Sequence, residues 1–437
     1  MVTSALRCSS VVIAEFSTAT EWSPIGWNLG PLPLQFPGQE RGAVDRADRT
    51  SRFEYFSSRV SSCLFPNDSR WWTVLNGPQI AGLRPAFAEV ILPRSGTRSR
   101  NLGYVIVHVS GNPVSPMDYH RSLNVIREDL TAVVPGLPPL VNGSGQAAHL
   151  TFVNAPPSIA PPLAENLEMP VLTQLAWTVA SQWSGTASTY PTNQELTELH
   201  SSGGFIEVSR RATFAVVPEG IGLATLDASS SNDPFDQWIT DDLPERTFAN
   251  FVQFQAHTYF ADVLLLIVQQ RSGLNAIADA FGTVAQAEPR IDDLEELQRD
   301  FSAFRAEVWW HQISDQQTAN RLLNAAQRTF HLSELLTEVA EELDYMSTQI
   351  QTHAAALTSS AIALLSLVLV PLTVGVGLAA ALVPSTWSWP WKTVIYLSTI
   401  PLSIAAALAG AALLPGYLGF LRQMVRSGKR RVHSTER

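Results

Sequence analysis

The sequence predicts an α+β cytoplasmic domain, then long stalk helices, then a two-helix transmembrane hairpin. Three observations point that way. Strand-like and helix-like runs are mixed up to about residue 245. From about Thr247 proline nearly disappears and long helical rhythms take over. Two long apolar runs then occupy gaps in the charge pattern near the C-terminus. The expected organisation is an α/β domain over 1–245, a helical stalk over 246–357, and a membrane hairpin with a basic tail over 358–437.

Within the first region, Ala88–Leu92, Leu102–Val109, Gly204–Val208 and Ala212–Val217 read as strands. They are rich in β-branched or aromatic residues and are bounded by turn formers. Ser209–Arg211 is placed to turn a hairpin between the last two. Met117–Thr131, Pro170–Trp183 and the shorter Gln194–His200 read as helices, Pro170 suiting a first turn. Pro135–Gly145, Ala155–Pro162 and Asp227–Asp242 read as loops, and residues 1–50, rich in Pro, Gly and Ser, as irregular chain. The apolar run Val11–Ala14 falls short of the roughly 7–15 residues of a secretory h-region, so no signal peptide is expected.

Thr247–Phe281 reads as one helix or two, with Val263–Val268 as a core segment. Ile291, Leu294, Leu297, Phe301, Phe304 and Val308 then recur at heptad-like spacing, as do Leu332, Leu336, Val339, Leu343, Met346 and Ile350. The second seam meets no proline or glycine before the first apolar run. One helix from Ser333 to Val383 would be roughly 75 Å long at 1.5 Å per residue. Such coiled-coil-like stalks assemble with copies of themselves.

The apolar runs cover about 360–383 and 393–417 and contain no Asp, Glu, Lys, Arg or His. Each meets the roughly 20 residues that a 30 Å hydrocarbon core requires. The connector Pro384–Trp391 places Trp387, Trp389 and Trp391 where aromatic side chains meet lipid headgroups. So short a connector makes an antiparallel hairpin. The tail carries Arg422, Arg426, Lys429, Arg430 and Arg431, and by the positive-inside rule lies in the cytoplasm. Both termini are then cytoplasmic, and the chain is a multi-pass protein of the inner or plasma membrane.

Composition narrows the function. With 29 basic and 39 acidic residues the net charge is −10, which argues against a nucleic-acid partner. Cys8 and Cys63, the two cysteines, are too few for a disulfide framework or a Cys₄ zinc site. No HExxH, GxSxG, Walker A loop or GxGxxG is present, and Gly220-Ile221-Gly222 is too short to count. These observations give an enzyme nothing to rest on, and the expectation is a membrane protein that is not an enzyme.

The whole organisation resembles the CorA family of magnesium channels. In the first apolar run Pro371-Leu372-Thr373 matches that family's Pro-Leu-Thr, and Gly377 follows at the family spacing. The family's Gly-Met-Asn signature falls on Ala380-Ala381-Leu382, and leucine offers no oxygen to a hydrated ion. The resemblance implies a homo-oligomer, a pentamer in that family, conducting hydrated Mg²⁺, Co²⁺ or Ni²⁺ along a pore lined by the first span. Thr373, Gly377 and Ala381 are then the pore-lining candidates, and Mg²⁺ is the cofactor implied. The lipid bilayer, a second copy of the chain and divalent cations are the partners implied. Carboxylates that sense Mg²⁺ in the family would correspond here to Asp292, Asp293, Glu295 and Glu296.

Each reading has a plainer counterpart. An acidic helix face is also what solvation alone produces. The acidic group Asp233, Asp236, Asp241 and Asp242 lacks calcium-loop spacing. The Thr373 hydroxyl could instead bond its own helix backbone. Trp71-Trp72 and Trp309-Trp310 read as packing. The alternative to conduction is a non-transporting, membrane-anchored sensor or signalling protein of the same architecture.

Overall fold

The computed structural model describes residues 6–18, 22–34, 52–65, 68–92, 102–113, 115–141, 147–156, 169–181, 192–227, 246–286 and 291–382, with isolated positions between 389 and 405. The chain divides into two compact units, Met1–Leu343 and Asp344–Arg437. The first is mixed α/β, built on one sheet.

Among the described residues that sheet has nine strands: β1 Arg7–Ser17, β2 Asn28–Leu29, β3 Arg70–Val74, β4 Arg84–Ile91, β5 Leu102–Gly111, β6 Ala148–Ala155, β7 Phe205–Ser209, β8 Ala212–Val217 and β9 Gly220–Leu226. Their order is β2-β3-β4-β5-β1-β6-β9-β8-β7. Every pairing is antiparallel except β6 with β9. The four strands expected from composition correspond to β4, β5, β7 and β8. Ser209 and Arg211 do flank the β7–β8 turn, with a bulge between Glu207 and Ser209.

The reading of residues 1–50 as irregular is overturned. Arg7–Ser17 is the longest strand and lies mid-sheet between β5 and β6. Its apolar run Val11–Ala14 is fully or almost fully buried. A central strand is covered on both faces, so it need not alternate, and its Ser9 and Ser10 are buried because both are hydrogen-bonded.

Ten helices are described: α1 Ser58–Leu64, α2 Pro116–Glu128, α3 Leu130–Val133, α4 Val171–Ala180, α5 Asn193–Ser201, α6 Phe248–His257, α7 Tyr259–Gln286, α8 Ile291–Glu307, α9 Gln317–Thr329 and α10 Leu332–Leu382. Local chemistry sets several ends. Ser115 caps α2 by accepting from Asp118 N–H at 3.2 Å, with Pro116 in the first turn. Thr192 and Glu195 form a capping box at α5. The stretch from Thr247 resolves into two helices, broken where Thr258 leaves helical geometry (φ −122°, ψ −92°). His331, at φ +54°, is the left-handed residue that separates α9 from α10.

Side-chain alternation gives the sheet two distinct faces. Cys8, Val12, Ala14, Val105, Val107, Val109 and Val153 pack with Tyr119, Leu123 and Ile126 of α2 and Leu175 and Val179 of α4. The intervening residues face α6 and α7, where Ser9 bonds Gln253 and His257. Withdrawing each Val, Ile or Leu from water contributes about 1.5–3 kcal/mol. Helix α4 lies so close to β9 that a Cβ at Gly222 would sit 2.0 Å from the Ala176 carbonyl oxygen. That requirement explains a glycine in a strand interior.

Taken together, α6 and α7 over Phe248–Val284 are long and apolar enough to cross a membrane, but 89% of the apolar window is buried inside the protein. It is the core segment read around Val263–Val268. The first expected seam lies on α8, with Leu294, Leu297, Phe301 and Phe304 buried. Along α10, Leu332, Val339, Leu343 and Met346 are buried. That helix is continuous over 51 residues and contains most of the first apolar run, Pro371 included. Ala155, expected to open a loop, is instead the last residue of β6, and most of the second run and of the loops expected at Ala155–Pro162 and Asp227–Asp242 lies outside the described residues.

Candidate functional site

Two polar clusters are buried in the first unit, one on each face of the sheet. The first lies on the α6/α7 face. Arg52, Arg70, Glu89 and Asp262 are all 0% exposed. Arg52 forks onto Asp262, with Nε to Oδ2 at 3.1 Å and Nη2 to Oδ1 at 2.9 Å, and it gives Nη1 to the Leu32 carbonyl. Arg70 bridges the two carboxylates: Nε to Glu89 Oε2 and Nη2 to Asp262 Oδ1, each at 2.9 Å. Leu32 N–H also donates to Glu89. Both guanidiniums lie over the Phe65 ring, at 5.6 and 4.9 Å. Burial alone would raise the Glu89 pKa. Arg70 and Arg52, helped by His108, reverse that and hold it well below the usual carboxylate range.

A chain of neutral groups continues from Glu89. His108 Nε2 lies 3.4 Å from Glu89 Oε1, and its Nδ1 lies 3.0 Å from His257 Nδ1. His257 Nε2 is 2.8 Å from Ser9 Oγ, which also accepts from Gln253 Nε2. Burial lowers the pKa of both histidines, Glu89 partly opposing this at His108. Only one proton arrangement fits two neutral rings. An ionised Glu89 can only accept, so His108 carries its proton on Nε2 and accepts at Nδ1 from His257. His257 then accepts at Nε2 from Ser9. Every member is satisfied, as a structural network requires.

The second cluster lies on the α2/α4 face and is not balanced in this way. Arg127, at the end of α2, is 9% exposed. It donates Nη2 to the Ala147 carbonyl at 2.6 Å and Nη1 to Asn124 at 3.3 Å, but its Nε is buried without a hydrogen-bond partner. His149 of β6 lies with its ring 5.9 Å from that of His120 of α2. Both nitrogens of His120 are buried without a hydrogen bond of good geometry. Burial, reinforced by Arg127, pushes His120 down to about 4 and His149 well below its ordinary value. Burial also lowers Arg127.

This cluster borders a cavity of about 500 Å³. It opens where β6 and β9 begin, between the end of α2 and the middle of α7. Arg127, Arg271 and His149 contribute polar atoms, and Leu264, Ile267, Val268 and Phe330 an apolar wall. Glu128 and Glu219 also line it and are solvent-exposed, whereas Arg127 is buried. Gly220 makes room for the imidazole: a Cβ there would be 2.1 Å from His149 Cε1. Gly220 and Gly222, set aside as too short a glycine motif, are thus positions of close approach in β9.

The residues singled out from sequence lie elsewhere. Asp292, Glu295 and Glu296 are exposed on α8, and Asp293 is half-buried. Among the described residues no group of three or more His, Cys, Asp or Glu is arranged to hold a metal ion. Thr373, Gly377 and Ala381, four residues apart on α10, are exposed in the single chain. The Thr373 hydroxyl donates to the Val370 carbonyl at 2.8 Å. A Cβ at Gly377 would meet nothing within 4 Å. Trp389 is 81% exposed. Trp387, Trp391, Arg422, Arg426, Lys429, Arg430 and Arg431 lie outside the described residues, as do Asp233, Asp236, Asp241 and Asp242. Trp71 and Trp72 belong to β3, and Trp309 is buried beyond α8.

No protein-family model matches the chain, and no curated protein sequence matches it.

Proposed function

We propose that the chain is a membrane-embedded homo-oligomer of CorA-like organisation that conducts hydrated divalent cations. The α/β unit is its cytoplasmic head, α10 is the stalk and first span, and residues 393–417 form the second span. One observation carries this reading: α10 is a single helix whose first seam residues are buried and whose segment 361–382 has no charged side chain. A helix apolar on every side over that length suits lipid better than water. The ion path runs along Thr373, Gly377 and Ala381. A potential of 100 mV would supply about 4.6 kcal/mol to a divalent ion crossing it, so ATP is not needed. The test is flux of Mg²⁺, Co²⁺ and Ni²⁺ into liposomes carrying the purified chain. Flux above that of empty vesicles supports conduction, and none, with the oligomer intact, ends it.

A second reading is favoured by Leu382 standing where the family places asparagine. There the head is the working part, reading a ligand, and the hairpin is an anchor. Replacing the hairpin by an unrelated one of equal length would then preserve function, whereas conduction would be lost.

A further inference from the structure

The cavity between α2 and α7 has an asymmetric wall. Arg127 and Arg271 contribute positive charge, and His149 is held neutral beside them. Arg127 is nine-tenths buried, and its Nε donor has no partner. Its hydrogen bonds go to neutral acceptors, the Ala147 carbonyl and Asn124, so no carboxylate neutralises its charge among the described residues. The rest of the α7 lining is apolar, with Leu264, Ile267 and Val268 all at most 2% exposed and Phe330 adding to it. Among the described lining residues the only carboxylates, Glu128 and Glu219, are on solvent-exposed residues. About 500 Å³ lies within the roughly 300–1,000 Å³ of small-molecule sites.

We infer that this cavity binds a small organic anion, its oxyanion group held by Arg127 and Arg271 and its apolar body against Ile267 and Phe330. Guanidinium suits both carboxylates and phosphates, because its planar donors match two oxygens at once. The apolar wall excludes bare inorganic ions as the preferred occupant, since they would leave that surface unmatched. The inference concerns the head alone and stands whether or not the hairpin conducts.

The experiment is calorimetric titration of the purified full-length chain with phenyl phosphate and with benzoate, beside benzyl alcohol, a neutral compound carrying the same ring. At least one anion should bind saturably, and benzyl alcohol about tenfold more weakly or not at all. Preference between the two anions assigns the site to a phosphate ester or a carboxylate, and either supports the inference. Arg127→Gln and Arg271→Gln should each weaken anion binding by about tenfold or more, the loss of one charge-assisted contact. Arg271 is only half-buried, so its variant remains informative if Arg127→Gln fails to fold. Saturable binding of neither anion overturns the inference. So does anion binding that Arg271→Gln leaves unchanged, or equal binding of benzyl alcohol. Liposome flux reads the hairpin separately, so failure of one proposal is not failure of the other.

Discussion

Arg70 and Arg127 are both buried arginines, on opposite faces of one sheet, and they keep different company. Arg70 meets two buried carboxylates, with Arg52 completing a neutral set of four charges. Arg127 meets a carbonyl, an amide oxygen and two neutral histidines, and no carboxylate bonds to it among the described residues. Charge balance inside the first cluster leaves it nothing to recruit, and it ties the segment before α1, strands β3 and β4, and helix α7 into one unit. Imbalance in the second leaves the Arg127 charge beside a cavity with neutral partners alone among those described. A buried cation with no bound carboxylate, at the wall of a cavity, suits an anionic ligand better than it suits stability.

The largest test of that contrast removes one charge from each side. Asp262→Asn leaves Arg52 and Arg70 facing a neutral group in the interior. Breaking a buried pair in this way costs about 3–5 kcal/mol. Arg127→Gln removes a buried charge that has no countercharge, and loses two hydrogen bonds worth about 1 kcal/mol each. Urea unfolding should therefore show a much larger loss for the first than for the second. Equal losses would mean that Arg127 is a structural residue like Arg70.

Acid titration is the next largest test. His108, His120, His149 and His257 all have folded pKa values below 6.5. The unfolded chain therefore binds protons below pH 6.5 that the folded chain refuses. Stability is full above that pH and falls as the pH drops, approaching about 1.4 kcal/mol per pH unit for a histidine whose folded pKa lies far below the unfolded one. The sign for Glu89 has a different window. Its folded pKa is depressed, so its contribution is present above the ordinary value of 4.5 and is lost only below it. Unfolding midpoints measured from pH 8 to 5 should decline before the window in which the Glu89 contribution is lost. A flat profile to pH 5.5 would show that the histidines are accessible to water.

A smaller effect is expected at the cavity wall. Gly220→Ala places a methyl group 2.1 Å from His149 Cε1. The ring or the β8–β9 turn must shift, at about 1–3 kcal/mol. Gly377→Ala, which meets nothing within 4 Å in the single chain, should not destabilise the fold. Thermal unfolding of the two variants side by side checks both.

The sequence made parts of these clusters visible but not their pairing. Asp262 stands alone in the apolar stretch YFADVLLLIV, Glu89 in AFAEVIL and His108 in YVIVHVS. A lone charge in such a run is a sign of a buried, paired group. The pairs themselves were out of reach: Arg52 and Asp262 are 210 residues apart, and only the folded sheet brings them together. Strands β5 and β8 were legible because they are long, β-branched and uninterrupted. β9 was missed because Gly220 and Gly222 weaken the strand signal, though they are there for contact with His149 and α4. β1 was missed because the composition of the first fifty residues outweighed one short apolar run. The cavity had no local signature at all, since it is assembled from α2, β6, α7 and the β8–β9 turn.

A pair of histidine substitutions discriminates most sharply, because the same change is made on both faces. His257→Leu breaks contacts with His108 and Ser9, leaving their polar atoms short of partners in the interior. That should cost about 1–3 kcal/mol. His120→Leu removes two buried nitrogens that make no good hydrogen bond and replaces them by an apolar group of similar size. The desolvation cost of the imidazole disappears, and packing against His149 and the α2 core is largely kept. Its stability should lie within about 1 kcal/mol of the parent, on the stabilising side if packing is conserved. The acid-induced loss should also become shallower, since one depressed histidine is gone. If His120→Leu instead cost as much as His257→Leu, His120 would have to be holding a partner in solution. The contrast between a satisfied and an unsatisfied face would then be wrong at its centre.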